Sequence, residues 1–325
     1  MSFARIVAAE HAVPARVVEN EELTTFMDTS DEWIRSRTGI ERRHISENQQ
    51  TSDLAAEVVE KLLATAQLSA DSLDFIIIAT VTPDSTMPST AALVQAKVGA
   101  THAFAFDIAA ACSGFVYALS VADKLLSAGT AARGVVIGAE VFSKILDWSD
   151  RTTAVLFGDG AAGVLLDNEG MRPMILSEKL QTDGSRGASL ESGLTGLASP
   201  FSEDVADKKQ LTMEGRAIFD FAVRDVPKNI AATIENVQLT ADKIDFFLLH
   251  QANARLLDAI AKKLKLPREK FLQNLQNYGN TSAASIPLLL SESLKNGTIT
   301  LGSSQKIALT GFGGGLTWGT LIVNI

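Results

Sequence analysis

The chain has 325 residues, 46% of them hydrophobic, with a formal net charge of −9, one cysteine and 4 histidines. That length and apolar content supply a large core and lead to an expectation of two domains or one large one, while the acidic balance argues against a general nucleic-acid binder. A lone cysteine permits no internal disulfide and fits a reducing cytoplasm; no apolar run nears a membrane span, Met1 to Ala8 reads as no signal peptide, and no CxxC, HExxH or Walker-type loop implies a metal or nucleotide cofactor.

In chain order, Thr29-x-x-Glu32 has the form of a capping box, so a helix is expected to start there. Trp33 and Arg37 are then i,i+4 neighbours; spacing alone makes this a surface helix with a half-buried Trp. A helix follows over roughly Leu54 to Ala66, then an apolar strand from Phe75 to Ala79. Ala103 to Phe106 is strand-like and leads into Ala109-Ala110-Ala111-Cys112-Ser113-Gly114-Phe115. Behind the thiol, Phe115, Leu119, Ala122, Leu125 and Leu126 recur at helical spacing. Cys112 is therefore expected in the first turn of a buried helix, where unpaired N–H groups lower a thiol pKa. Val135 to Ile137 is a further buried strand. Past a helix over roughly Ile218 to Val237, the run Phe246-Phe247-Leu248-Leu249 ends at His250, the strand end at which open sheets place ligands. Taken singly, such a His is more often structural. The helix after it bears Arg255, Lys262 and Lys263, and Gly279-Asn280 is a turn before a helix containing Ile286 to Leu294.

An internal repeat organises these pieces. Gln67-Leu68-Ser69-Ala70-Asp71-Ser72-Leu73-Asp74-Phe75 parallels Gln238-Leu239-Thr240-Ala241-Asp242-Lys243-Ile244-Asp245-Phe246. Gly158 to Gly163 leads into Val164-Leu165-Leu166, and more loosely Gly313-Gly314-Gly315 leads toward Leu321-Ile322-Val323. The chain thus reads as two related α/β halves, residues 1–170 and 171–325. Cys112 lies in the first, His250 and Asn280 in the second, and a junction of halves is a common ligand location.

Seven segments together resemble one family. They are Asp28-Thr29-Ser30-Asp31-Glu32-Trp33, Arg37-Thr38-Gly39-Ile40, Ala110-Ala111-Cys112-Ser113-Gly114-Phe115, Phe157-Gly158-Asp159-Gly160-Ala161, His250-Gln251-Ala252-Asn253, Gly279-Asn280-Thr281-Ser282-Ala283-Ala284-Ser285 and Gly311-Phe312-Gly313-Gly314-Gly315. In this order they resemble the thiolase-fold condensing enzymes, most closely the β-ketoacyl-acyl-carrier-protein synthase III family. A single cysteine departs from the thiolases, which need two, and Asn280 departs from the chain-elongating synthases, which pair two histidines with the cysteine. Plant-type polyketide synthases share Cys-His-Asn, so the triad alone does not decide. A Cys-His-Asn hydrolase and a non-catalytic scaffold are the rivals from other classes.

The resemblance implies a layered α-β-α-β-α thiolase-like fold and a homodimer in the cytoplasm. It implies transfer of a short acyl group, such as acetyl, from acyl-CoA to Cys112, then decarboxylative condensation with malonyl-acyl-carrier-protein to start fatty-acid synthesis. By the same resemblance Cys112, His250 and Asn280 are catalytic, and the N–H groups of Cys112 and Gly314 hold the oxyanion. Thr29, Trp33, Arg37, Arg151, Phe219, Ala252 and Asn253 bind CoA, and Met87 closes the acyl pocket of a partner subunit. Thr152 stands where many members have Gly. Arg255, Lys262 and Lys263 are a candidate docking patch for the acidic carrier protein. No resident cofactor is implied, and neither nucleic acid nor membrane is an expected partner.

Overall fold

The structure, a computed structural model, describes residues 3–203 and 206–325, so Met1, at the start of the segment read as no signal peptide, lies outside it. The first half supplies β1 (Phe3–Ala12), β2 (Phe75–Ala79), β3 (Phe104–Ile108), β4 (Arg133–Glu140) and β5 (Gly160–Gly170), in the sheet order β1-β5-β4-β2-β3. After Gly170 the chain crosses to a second sheet built from β6 (Ile175–Thr182), β7 (Phe246–Leu249), β8 (Lys306–Gly313) and β9 (Thr317–Asn324), ordered β7-β8-β9-β6. Reversed, β6-β9-β8-β7 matches β1-β5-β4-β2. A parallel bridge from Phe247 to Phe271 stands where β3 flanks β2. In the first sheet β2 runs parallel to both β3 and β4, in the second β7 runs parallel to β8, and the remaining pairings in both sheets are antiparallel.

The strands are apolar throughout because both faces are covered. In β2, Phe75 and Ile77 join one core while Ile76 and Ile78 join another, as period-2 alternation requires. The first core is the middle of the molecule. There α4 (Gly114–Ser127) and α8 (Ser285–Lys295) fill the space between the sheets with Phe115, Leu119, Ile286 and Leu290. Outside the first sheet lie α2 (Thr51–Ala66) and α3 (Thr90–Val98). Outside the second lie α5 (Gly215–Arg224), α6 (Val226–Glu235) and α7 (Ala254–Leu264), beside the short α1 (Asp31–Thr38). The result is the expected five-layered α-β-α-β-α thiolase-like fold. Among the described residues no helix is long and apolar enough to cross a membrane.

The duplication reaches single dihedral angles. Gln67 and Gln238, paired in the repeat, are both left-handed, with φ of 55° and 56°; Gln67 caps α2 and Gln238 follows shortly after α6. Ala111 and Ser282 are likewise left-handed, at 45° and 49°, each opening a three-residue turn before a central helix. The repeat thereby sets Cys112 against Ala283. Two expectations change. The helix over Ile218 to Val237 is two helices, α5 and α6, because Pro227 near the start of α6 has no N–H to continue the ladder. α1 starts one residue later than the capping box suggests: Ser30 Oγ, not Thr29, accepts the Trp33 N–H at 3.1 Å.

Candidate active site

Cys112, His250 and Asn280 line one cavity of about 510 Å³ at the junction of the halves, a size suited to a small-molecule substrate. Cys112 sits in the turn Ala111–Ser113 that precedes α4, two residues before Gly114 rather than in the expected first helical turn. Ser113 Oγ and Thr317 Oγ1 tie this turn to the glycine-rich one after β8: Ser113 donates to Thr317 at 2.7 Å, and Thr317 hydrogen-bonds Gly314 O at 2.8 Å. Gly313 must be glycine for the two turns to meet. A Cβ there would stand 2.9 Å from Cys112 Cβ and 3.0 Å from its Sγ. Gly314, the expected second oxyanion donor, also lines the cavity.

Burial, not the helix start, governs the thiol. Cys112 is only 5% exposed, and burial pushes its pKa up to about 12, the Glu140 carboxylate adding to the rise and a hydrogen bond with the Ser282 hydroxyl opposing it. This corrects the expectation of a lowered thiol pKa. His250, 2% exposed, ends β7 as expected. Burial drives its pKa down to about 3, so the imidazole is neutral. The resting site therefore holds an uncharged thiol and an uncharged ring. Ser285 Oγ donates to Ser282 O at 2.8 Å and has no second hydrogen, so the 2.8 Å contact with His250 Nδ1 requires Nδ1–H as donor. The Nε2 lone pair is left as an acceptor. Nε2 can donate to an enolate only after it has taken up a proton, a step the sequence reading did not contain. Phe312 packs edge-on against the ring, 5.3 Å between centroids.

Asn280 Oδ1 accepts the Ser282 N–H at 2.8 Å, which turns its Nδ2 hydrogens away as free donors. Ser282 is thus a hub that sequence reasoning missed: its N–H orients Asn280, its C=O anchors Ser285 and through it His250, and its hydroxyl reaches Cys112 and Glu140. Glu140, a charge at the end of the apolar run of β4, is fully buried. Its position at a strand end was the available signal.

The remaining predicted residues divide. Trp33 lies under two guanidinium groups, with Arg37 5.2 Å and Arg151 5.5 Å from its ring centroid. Asn253 Nδ2 donates to Arg37 O at 3.2 Å and links that group to α7. Thr29 Oγ1 is buried with no hydrogen-bond partner. Phe219, Ala252, Asn253 and Thr152 line the cavity, and Thr152 is held by Asp150 at 2.7 Å. Met87 is 84% exposed and does not line the cavity of its own chain. Arg255, Lys262 and Lys263 are exposed on α7, beside the cavity residues Asn253 and Leu256. Seven residues of helix put Lys262 roughly 10 Å beyond Arg255. Among the described residues no group of three His, Cys, Asp or Glu side chains could hold a metal ion.

Family profiles described as 3-oxoacyl-[acyl-carrier-protein] synthase III and its C-terminal region match residues 106–184 and 234–325. The chain is 63% identical over its 325 residues to the β-ketoacyl-[acyl-carrier-protein] synthase III of Lactococcus lactis subsp. cremoris, covering all of both. The chain belongs to the β-ketoacyl-[acyl-carrier-protein] synthase III family. The synthase III of Streptococcus gordonii is 60% identical over 325 residues, again covering all of both chains. Among solved structures, that of the Aquifex aeolicus synthase III superposes with a TM-score of 0.92 at 39% identity, covering 99% of this chain and 100% of that one. The Thermus thermophilus synthase III gives 0.91 at 41%, covering 98% of each.

Proposed function

We propose that this chain performs its family's reaction with Cys112 as nucleophile and His250 and Asn280 as its partners. The chain is a condensing acyltransferase, primed by acyl-CoA and extending onto malonyl-acyl-carrier-protein to start fatty-acid synthesis. Cys112 Sγ attacks the acyl-CoA thioester while its proton passes to the free Nε2 of His250. The tetrahedral oxyanion is held by the N–H groups of Cys112 and Gly314. The proton on Nε2 passes to the departing CoA sulfur, so CoA leaves as a thiol; malonyl-acyl-carrier-protein then enters and Nε2 takes up a proton from solvent. Loss of carbon dioxide leaves an enolate on its thioester oxygen, which accepts from Asn280 Nδ2 and from protonated Nε2. Its carbon attacks the acyl group, and the thiol is restored. The observation that carries the reading is the convergence of the three side chains on one cavity with the Asn280 amide already oriented by Ser282.

The test is mass spectrometry of the intact protein after exposure to a panel of acyl-CoAs. One acyl group on Cys112 is expected, acetyl among those accepted, and Cys112→Ser should lose both the adduct and condensation. A Cys112→Ser protein that still condenses would falsify the assignment.

CoA is read onto the Trp33 group. An adenine between Trp33 and Arg151 needs about 3.5 Å on each side, so Arg151, now 5.5 Å from the ring centroid, moves outward by over an ångström on binding. The orphan hydroxyl of Thr29 and the side chain of Asn253 suit the polar parts of the same ligand. Arg255 at the cavity edge, with Lys262 and Lys263 further along, is the docking patch for the carrier protein. A homodimer fits the free edge of β3, whose Phe104 is 45% exposed; Met87 then faces the partner's acyl pocket. A cytoplasmic location belongs to the same reading.

A further inference from the structure

Among the described residues no cation is ion-paired with buried Glu140, yet its carboxylate is crowded with donors. Oε2 accepts from Thr80 Oγ1 at 3.2 Å, Thr82 Oγ1 at 2.5 Å and Thr82 N at 3.1 Å. Val81 N reaches both oxygens, at 3.3 and 3.2 Å, and Ser282 Oγ donates to Oε1 at 3.0 Å. Nothing in this shell needs a donor, so the environment is made for the ionised form. Burial opposes it and lifts the pKa to about 7. The charged or titratable groups that face Glu140 are Cys112, from the turn before α4, and Lys144, from the turn after β4. The Lys144 ammonium is spent on Thr82 O at 2.7 Å and Pro83 O at 2.9 Å, and its other carboxylate neighbours are Asp84 and Asp159.

Ser282 has one hydroxyl hydrogen and two claimants. Its N–H and C=O are committed to Asn280 and Ser285, and its hydroxyl, 3.0 Å from Glu140 Oε1, also interacts with the Cys112 sulfur. If the hydrogen goes to Glu140, Ser282 turns a lone pair to the sulfur and suits a thiol. If it goes to the sulfur, it suits a thiolate.

We propose that Glu140 is a positioning residue for the nucleophile: while ionised it claims the Ser282 hydroxyl hydrogen and holds Cys112 as a thiol, and when neutral it releases that hydrogen to the sulfur. Together with burial, the pair keeps the resting nucleophile protonated and makes departure of its proton to His250 part of acyl transfer. This rests on Cys112 being the nucleophile, but its test does not use the acyl reaction. Failure of that assignment would show in Cys112→Ser, and failure of this inference in thiol ionisation.

The test is the rate of Cys112 alkylation by iodoacetamide as a function of pH. In Glu140→Gln the amide oxygen takes the backbone donors and the NH₂ faces Ser282, whose hydrogen then turns to the sulfur. Alkylation at pH 8 should rise about tenfold or more, one unit of thiol pKa being a tenfold gain in thiolate. Adding Ser282→Ala should remove most of that gain. A Glu140→Gln rate no higher than wild type would overturn the inference. So would a double variant as fast as the single one, since charge alone would then act. The wild type gives a second measurement that needs no folded Glu140 variant. As pH falls through about 7 and Glu140 gains its proton, the alkylation rate should fall less than tenfold per unit, and Ser282→Ala should restore the tenfold slope. A tenfold slope in both proteins would also overturn it.

Discussion

Gly313→Ala places one methyl group against Cys112, the proposed nucleophile. Its Cβ would lie 2.9 Å from Cys112 Cβ, 3.0 Å from Sγ and 3.2 Å from the Cys112 N. Carbon contacts are comfortable at about 3.5–4.0 Å, so three atoms of one residue are too close by roughly half an ångström. The backbone is not the obstacle, because φ of Gly313 is 173°, an extended value open to any residue. Relief must come from moving the Cys112 turn or the end of β8, and both are pinned by Ser113 and Thr317. Overpacking of this kind costs about 1–3 kcal/mol of stability. Displacing a reacting atom by up to 1 Å costs on the order of 100-fold in rate. The assay is single-turnover acetylation of Cys112 by acetyl-CoA, read by intact mass, alongside a denaturant midpoint. Gly184→Ala is the control, since a Cβ there meets nothing within 4 Å. Acetylation of Gly313→Ala at the wild-type rate, with an unchanged midpoint, would refute the packing argument.

Two further outcomes are expected. His250→Ala and Asn280→Ala should each slow malonyl decarboxylation on the order of 100- to 1,000-fold; Asn280→Ala should leave acylation of Cys112 the less affected, since in the proposed mechanism His250 alone takes the thiol proton. Both are measured as separate half-reactions. Lys262→Glu with Lys263→Glu should raise KM for malonyl-acyl-carrier-protein at low salt, lose that effect at high salt, and spare acyl transfer from CoA.

What the sequence disclosed follows from how each feature is encoded. The two halves were legible because Gln67 and Gln238 each follow a helix and are each followed by the same pattern of polar turn and apolar strand. Cys112, His250 and Asn280 could be named because the strand ends and glycine turns that place them are local. The thiol pKa was misjudged because burial depends on what the other half of the chain stacks above Cys112, which helix periodicity does not express. Ser282 and Glu140 were missed for a related reason. They lie 142 residues apart and meet only across the boundary between the halves. Pro227 could have been read as the break between α5 and α6, since its missing N–H is a property of one residue.

The two glycines at the crossing points have a kinetic consequence. A Cβ at Gly138 of β4 would fall 2.2 Å from Ala283 O, and one at Gly311 of β8 would fall 2.6 Å from Ser113 Cα. Each half has thus hollowed a strand to seat the other's helix start, like the reciprocal notches of a lap joint. Such a joint neither slides nor opens like a jaw without unseating Cys112 or Asn280. On the proposed mechanism the two bulky donors must then take turns at one thiol, the first leaving its acyl group behind as the ticket for the second.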